Sequence, residues 1–267
     1  MLEIFKYQFM QNALFAVIAM SIFTPLLGSF LILRRQSLLS DTLGHISLAG
    51  IAIGILSGFS TTLSTILIVA IAAIFLEYLR TVYKNFLELA TAILMSAGLA
   101  IAMVVISKTS SSSISLENYL FGSIITISFE QLLYLFIIGL IIVLFMGIFF
   151  RPLYIMTFNE DIAFSEGLNV RLLSISFNII TGIAISLMIP AVGALLVSTI
   201  IILPASIALI ISKNFKTVII IGTLVSFIGM FLGIIISYYA ETPASATITL
   251  IFITIFILTN IINKLKK

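Results

Sequence analysis

The chain has 267 residues, 61% of them hydrophobic and 9% charged, with a formal net charge of +3 and a mean hydropathy of +1.33. A water-soluble domain carries roughly 25% charged residues, so a soluble enzyme is excluded, and the small net charge argues against a nucleic-acid partner. There is no cysteine, which excludes disulfides and thiolate metal sites.

Apolar runs long enough to cross a bilayer recur from end to end. The first covers 11–33. The stretch before it, MLEIFKYQFMQN, mixes Glu3 with Lys6 and so has no basic n-region. The run is too long for a signal core and lacks a small-residue cleavage site, so it reads as a span. The others cover 42–58, 61–79, 87–107, 128–150, 172–189, 191–211, 217–239 and 245–263. The second is short and carries polar residues. The pair on either side of Pro190 has only that proline and Gly193 to turn on. One member of that pair could be re-entrant or broken, so eight spans is the alternative to nine. The predicted fold class is all-α: a polytopic integral membrane protein with 8–9 transmembrane helices, forming a single transmembrane domain over 1–267.

With nine crossings, Arg34, Arg35, Arg80, Lys84, Arg151, Arg171, Lys213, Lys216, Lys264, Lys266 and Lys267 fall on one side, and only Lys6 and Lys108 on the other. Basic residues accumulate on the cytoplasmic side. The expectation is a multi-pass membrane protein with its N-terminus outside and its C-terminus in the cytoplasm. The serine-rich loop 108–118 is then external.

The second segment holds the only histidine, in RRQSLLSDTLGHISLAG. Asp41 and His45 are four residues apart, a helical turn of about 400°, so they lie about 40° apart on one face. Gly50, Gly54 and Gly58 follow at four-residue spacing and are predicted to line a second face, for close helix packing. An ionisable pair inside a span is costly and points to function. Three readings stay open from the residues alone: Asp41 as a helix cap or as a partner of His45, a carboxylate–imidazole proton relay, or a divalent-metal site. Two ligands are too few for zinc. Two copies meeting on a two-fold axis would supply four, and Glu88, Glu241 or waters would complete a site within one copy.

No G-x-x-x-x-G-K-[ST] motif occurs, so the chain has no phosphate-cradling loop of that kind, and no H-E-x-x-H or nucleophile–base–acid set is visible. The loop FNEDIAFSEGLNVR (158–171) carries Glu160, Asp161 and Glu166. It reads as a short amphipathic element closed by Gly167 as a helix C-cap. PASIALIISKNFKT (204–217) is a span end turning at Asn214. Either is a candidate docking surface for a cytoplasmic partner.

Taken together, LILRRQSLLSDTLGHISLAGIAIG, FNEDIAFSEGLNVR, PAVGALLVSTIIILPASIALIISKNFKTV and ETPASATITL, in this order, resemble the permease subunits of bacterial ABC importers for zinc, manganese or iron. The detail is most similar to the zinc permeases of Gram-positive cocci. The resemblance covers nearly the whole chain. It implies a homodimer, two separate cytoplasmic ATPase subunits, an extracellular metal-binding lipoprotein, and transported zinc or manganese as cargo with no permanently bound cofactor. It places Asp41 and His45 on the ion path. By analogy with the vitamin B12 and siderophore importers, it places the ATPase near Pro204, Ala205, Ser206, Lys213, Asn214 and Lys216. Glu160, Asp161, Ala163 and Gly167 would then form a secondary contact. Many relatives have Ser before the histidine where this chain has Gly44, which removes a possible auxiliary ligand. The alternative in another class is a stand-alone proton-coupled carrier, although no internal repeat of the kind such carriers show is visible.

Overall fold

The computed structural model describes residues 6–82, 87–108, 116–122, 124 and 127–265. Lys84, Lys266, Lys267 and residues 109–115 of the serine-rich loop lie outside the described residues. The helices are α1 (Gln8–Leu33), α2 (Leu38–Ser57), α3 (Thr61–Val82), α4 (Leu87–Lys108), α5 (Leu116–Phe121), α6 (Phe129–Phe158), α7 (Glu160–Ser165), α8 (Val170–Val192), α9 (Ala194–Ile211), α10 (Phe215–Ala240) and α11 (Ala244–Leu265). No strand occurs among the described residues. Nine of these helices are long and apolar enough to cross a membrane, each matching one predicted segment. The pair on either side of Pro190 forms two separate membrane-length helices. The protein is a multi-pass, all-helical membrane protein.

Most helices run a turn or less beyond the prediction at either end, because flanking polar residues still close helical hydrogen bonds. The exception is α6, at 30 residues. At about 1.5 Å per residue it is roughly 45 Å long, against a hydrocarbon core of about 30 Å. Its last two turns, from Arg151 on, lead directly into α7.

Helix α1 is the most enclosed element and packs against α6, α9 and α10; α9 also contacts α10 and α11. A second group forms around α2, which packs on α3 and α4 and also touches α8 and α9. Helix–helix contact in lipid depends on backbones coming close. At Gly50 an added Cβ would stand 2.7 Å from Thr65 Cα, and at Gly54 2.9 Å from Thr61 Cα, so these two glycines let α2 lie directly on α3. Gly58 does something else. It has φ +68 with nothing near its missing Cβ, and it ends α2 with Phe59 N–H donating to Gly54 O and Gly58 N–H to Ile55 O. It is the left-handed terminator of the helix, which corrects its assignment to the packing face.

The α8–α9 junction is a single residue. Gly193, with φ +85 and ψ 151, joins two unbroken helices. It is buried, because the chain after α5 crosses it: a Cβ on Gly122 or on Gly193 would collide with the backbone of the other segment.

One end of the bundle collects the α1–α2 turn, the end of α3, α7 and the α9–α10 turn. We call it the basic face after Arg34, Arg35, Arg80, Lys213 and Lys216. Beneath it, Phe30 packs with Phe150, Phe177 and Phe215 at centroid distances of 6.2, 6.2 and 5.1 Å.

Candidate metal-transport site

Asp41 sits in the first turn of α2, where the positive end of the helix dipole favours a carboxylate. The sequence around it builds a helix packed on several sides. Thr42 Oγ1 donates to Leu38 O at 2.9 Å and lies 3.4 Å from Thr91 O of α4. A Cβ at Gly98 of α4 would stand 2.9 Å from Ile46 Cα and 3.0 Å from the carbonyl carbon of His45. On another side Leu43 lies against Gly182 of α8, and Gly44 faces Ile189. From Leu39 to Ala52, every residue of α2 is buried except Asp41 and His45, which are half-buried. In this part of α2 the two residues mark the one strip that neighbouring helices leave partly open.

Neither side chain has a protein partner among the described residues. His45 Nδ1 is buried and makes no hydrogen bond. Asp41 caps nothing: the N-cap position is Ser37, which makes no side-chain capping bond either, and Ser40 Oγ donates to Ser37 O. A carboxylate and an imidazole one helical turn apart, both without partners, are donors of the kinds that divalent cations take. No third His, Asp or Glu joins them, since no group of three or more such residues forms among the described residues. Glu88 is exposed at the start of α4, and Glu241 is exposed at the far end of α10. Neither completes the pair, which corrects the expectation of a site completed by them within one copy.

A cavity of about 910 Å³ opens at the end opposite the basic face between Thr61, Thr65, Tyr119, Glu130, Tyr134 and Pro190. Neither Asp41 nor His45 lines it. Tyr134 Oη donates to Glu130 at 2.8 Å there.

At the basic face the predicted docking residues divide by burial. Pro204 and Ala205 are buried inside α9 and Ser206 is partly so. Ala205 lies against Gly28 of α1, and Ala208 and Pro204 O face Gly222 of α10. A separate subunit cannot reach Pro204 or Ala205, which corrects that assignment; Lys213, Asn214 and Lys216 are exposed. In α7 only Ala163 is buried, pinning the helix down. Asn159 Oδ1 accepts from the N–H groups of Asp161 and Ile162 and starts the helix. Gly167, φ +80, ends it as Leu168 N–H bonds Ala163 O and Gly167 N–H bonds Phe164 O. Between these caps Ile162 and Phe164 are 50% and 76% exposed, beside Asp161 and Glu166.

One polar cluster was missed at the sequence level. Glu77, 1% exposed, lies inside α3 and pairs with Arg80 at 2.8 Å. Its Oε2 accepts from Asn178 Nδ2 of α8 at 2.8 Å. Arg80 also pairs with Glu160 of α7 at 2.6 Å. Arg34 donates to Ser174 Oγ and stacks over Phe177 at 5.2 Å. Burial, ahead of repulsion from Arg80, pulls the Arg34 guanidinium down to about 10, still high enough for it to stay charged at neutral pH. An acid three residues before an arginine at the end of a span was the available signal.

Nine membrane-length helices among the described residues define an integral membrane protein. The model of the ABC 3 transport family matches residues 6–263. The chain is 31% identical over 247 residues to a high-affinity zinc uptake system membrane protein ZnuB of Buchnera aphidicola subsp. Schizaphis graminum, covering 92% of this chain and 95% of that one. It is 26% identical to a manganese transport system membrane protein MntC of Halalkalibacterium halodurans, covering 96% and 88%. The solved structure of PsaBC from Streptococcus pneumoniae in complex with Fab superposes with a TM-score of 0.85 at 27% identity, covering 96% and 92%. The chain belongs to the ABC 3 transport family.

Proposed function

We propose that this chain is the membrane permease subunit of an ATP-driven importer of a divalent metal ion, zinc first and manganese second. The observation that carries the reading is the pair Asp41 and His45. The two lie one helical turn apart on the open strip of α2 with no protein partner, in a chain that matches a transport family over almost its full length. The basic face is cytoplasmic, which puts the N-terminus outside. The 910 Å³ cavity then opens outward.

One chain offers two ligands, so two copies meeting across the open strip of α2 would bring two carboxylates and two imidazoles to one ion. A site shared across an interface also releases its ion when that interface moves. The ATPase subunits are separate and dock on the basic face, with α7 as the main contact. Ile162 and Phe164 are apolar side chains displayed between acids. An exposed aromatic of this kind fits a pocket on a partner. Lys213, Asn214 and Lys216 supply the flanking contact. An extracellular metal-binding protein delivers the ion to the outer face.

The test is metal accumulation in cells that lack their own permease, rescued with wild type, Asp41→Ala or His45→Ala. Zinc and manganese are supplied separately, and the membrane level of each variant is measured. Loss of uptake of one ion at normal membrane levels supports the reading and names the cargo. Normal uptake by both variants sinks it.

A further inference from the structure

The cluster around Glu77 contains neither Asp41 nor His45, yet it joins α7 to the helices that pack on α2. Glu77 Oε1 accepts from Arg80 Nη2 at 2.8 Å and Nε at 3.0 Å, while Oε2 accepts from Asn178 of α8. The third nitrogen of the same guanidinium, Nη1, reaches Glu160 at 2.6 Å. One arginine therefore spans from a fully buried carboxylate in the bundle to the first residue of α7. Its planar fork fixes the angle between the two acids in a way that a lysine would not.

Both helices gripped at Glu77 pack on α2. Helix α3 meets it at Gly50 and Gly54, where Ser64 Oγ also donates to Gly50 O at 3.0 Å. Helix α8 meets it at Leu43 and Gly44. There is also room for a second arrangement of the charges. Arg34, Arg80 and Glu160 line one cavity of about 370 Å³, and Arg34 Nη1 is buried with no acceptor. If α7 shifts, Glu160 can leave Arg80 for Arg34 without any charge going unpaired. Such a two-position element is what carrying a signal between two sites requires.

We propose that Glu77, Arg80 and Glu160 are positioning residues that carry the movement of α7 into α3 and α8, and so to the helix bearing Asp41 and His45, with Arg34 as the alternate partner of Glu160. This rests on the proposed transport function. A bonding pattern that merely held the fold together would have no need of the exposed acid on α7.

The test uses the permease–ATPase complex reconstituted in liposomes with its metal-binding protein. The readout is metal moved per ATP hydrolysed, and co-purifying ATPase is measured alongside. Glu160→Gln cuts the outer half of the link. Glu77→Gln cuts the inner half at a residue no other subunit can touch, and keeps the side chain's size. Each is expected to lower the ratio about tenfold, within the usual range of coupling between sites, with the ATPase still bound. Glu160→Asp recovers part of the ratio. An unchanged ratio in both variants overturns the link. So does loss of co-purifying ATPase in Glu160→Gln with a normal ratio in Glu77→Gln, which would make Glu160 a docking contact. If the wild-type complex moves neither zinc nor manganese, the transport reading itself fails and the link falls with it.

Discussion

Gly98 and His45 meet backbone to backbone: a β-carbon on the glycine would stand 3.0 Å from the carbonyl carbon of the histidine and 2.9 Å from the amide nitrogen of Ile46. Helix α4 thus holds α2 at the turn that carries the imidazole. Backbone atoms cannot swing aside as a long side chain can, so even one methyl group must push the helices apart. Overpacking of this kind costs about 1–3 kcal/mol. Gly98→Ala is expected to reach the membrane and to lower uptake several-fold. Gly98→Val is expected to lower both its level and its uptake. Paired uptake and membrane-level measurements check this.

Asp41 and His45 are predicted to work as a unit. Removal of either leaves a site short of ligands, so Asp41→Ala and His45→Ala should each bring uptake to background, and the double variant should be no worse. Non-additivity of this sort marks residues acting together. If the double variant shows the product of two partial losses, the two serve separate steps. The readout is initial uptake rate of zinc and of manganese.

At the basic face the exposed aromatic of α7 is expected to dominate docking. Truncating an anchor that fills a partner's pocket typically costs about 2 kcal/mol or more, a loss of roughly 30-fold in affinity. Phe164→Ala should lower the amount of ATPase that co-purifies, with little change in the thermal stability of the isolated permease, because Phe164 is 76% exposed. Ala205→Ser should leave co-purification unchanged, because Ala205 is buried inside the bundle.

The crossing of Gly122 and Gly193, in the wall of the 910 Å³ cavity, predicts a stability effect. Both have positive φ, and Gly193 occupies a region close to glycine-only. Neither has room for a Cβ. Gly193→Ala and Gly122→Ala are expected to destabilise by about 2 kcal/mol or more. Thermal unfolding in detergent, followed by loss of the monodisperse species, measures it. An unchanged midpoint would show that the crossing relaxes.

The nine spans were legible because hydropathy is a local property: a run that cannot stay in water declares itself without its neighbours. The shared face of Asp41 and His45 was legible for the same reason, as four residues make about one helical turn. Terminators were harder. Gly50, Gly54 and Gly58 share a spacing, yet Gly58 falls where the helix stops, and spacing says nothing of where that is. The residues 204–206 looked like an end available to a partner, but α9 runs through them and α1 and α10 close over Pro204 and Ala205.

By itself, then, the chain's sequence determined that eight or nine apolar segments cross, which end of the bundle is basic, and that one acid and one imidazole share a helix face. Tertiary structure alone decided that this pair has no partner, that Asn178 joins Arg80 on Glu77, and that Glu160 joins Glu77 on Arg80. Asn178 stands 101 residues beyond Glu77 and Glu160 lies on another helix. No local pattern brings them together. Their meeting depends on how α3, α7 and α8 pack. A buried charge requires partners, but only the packing determines which residues are near enough to serve.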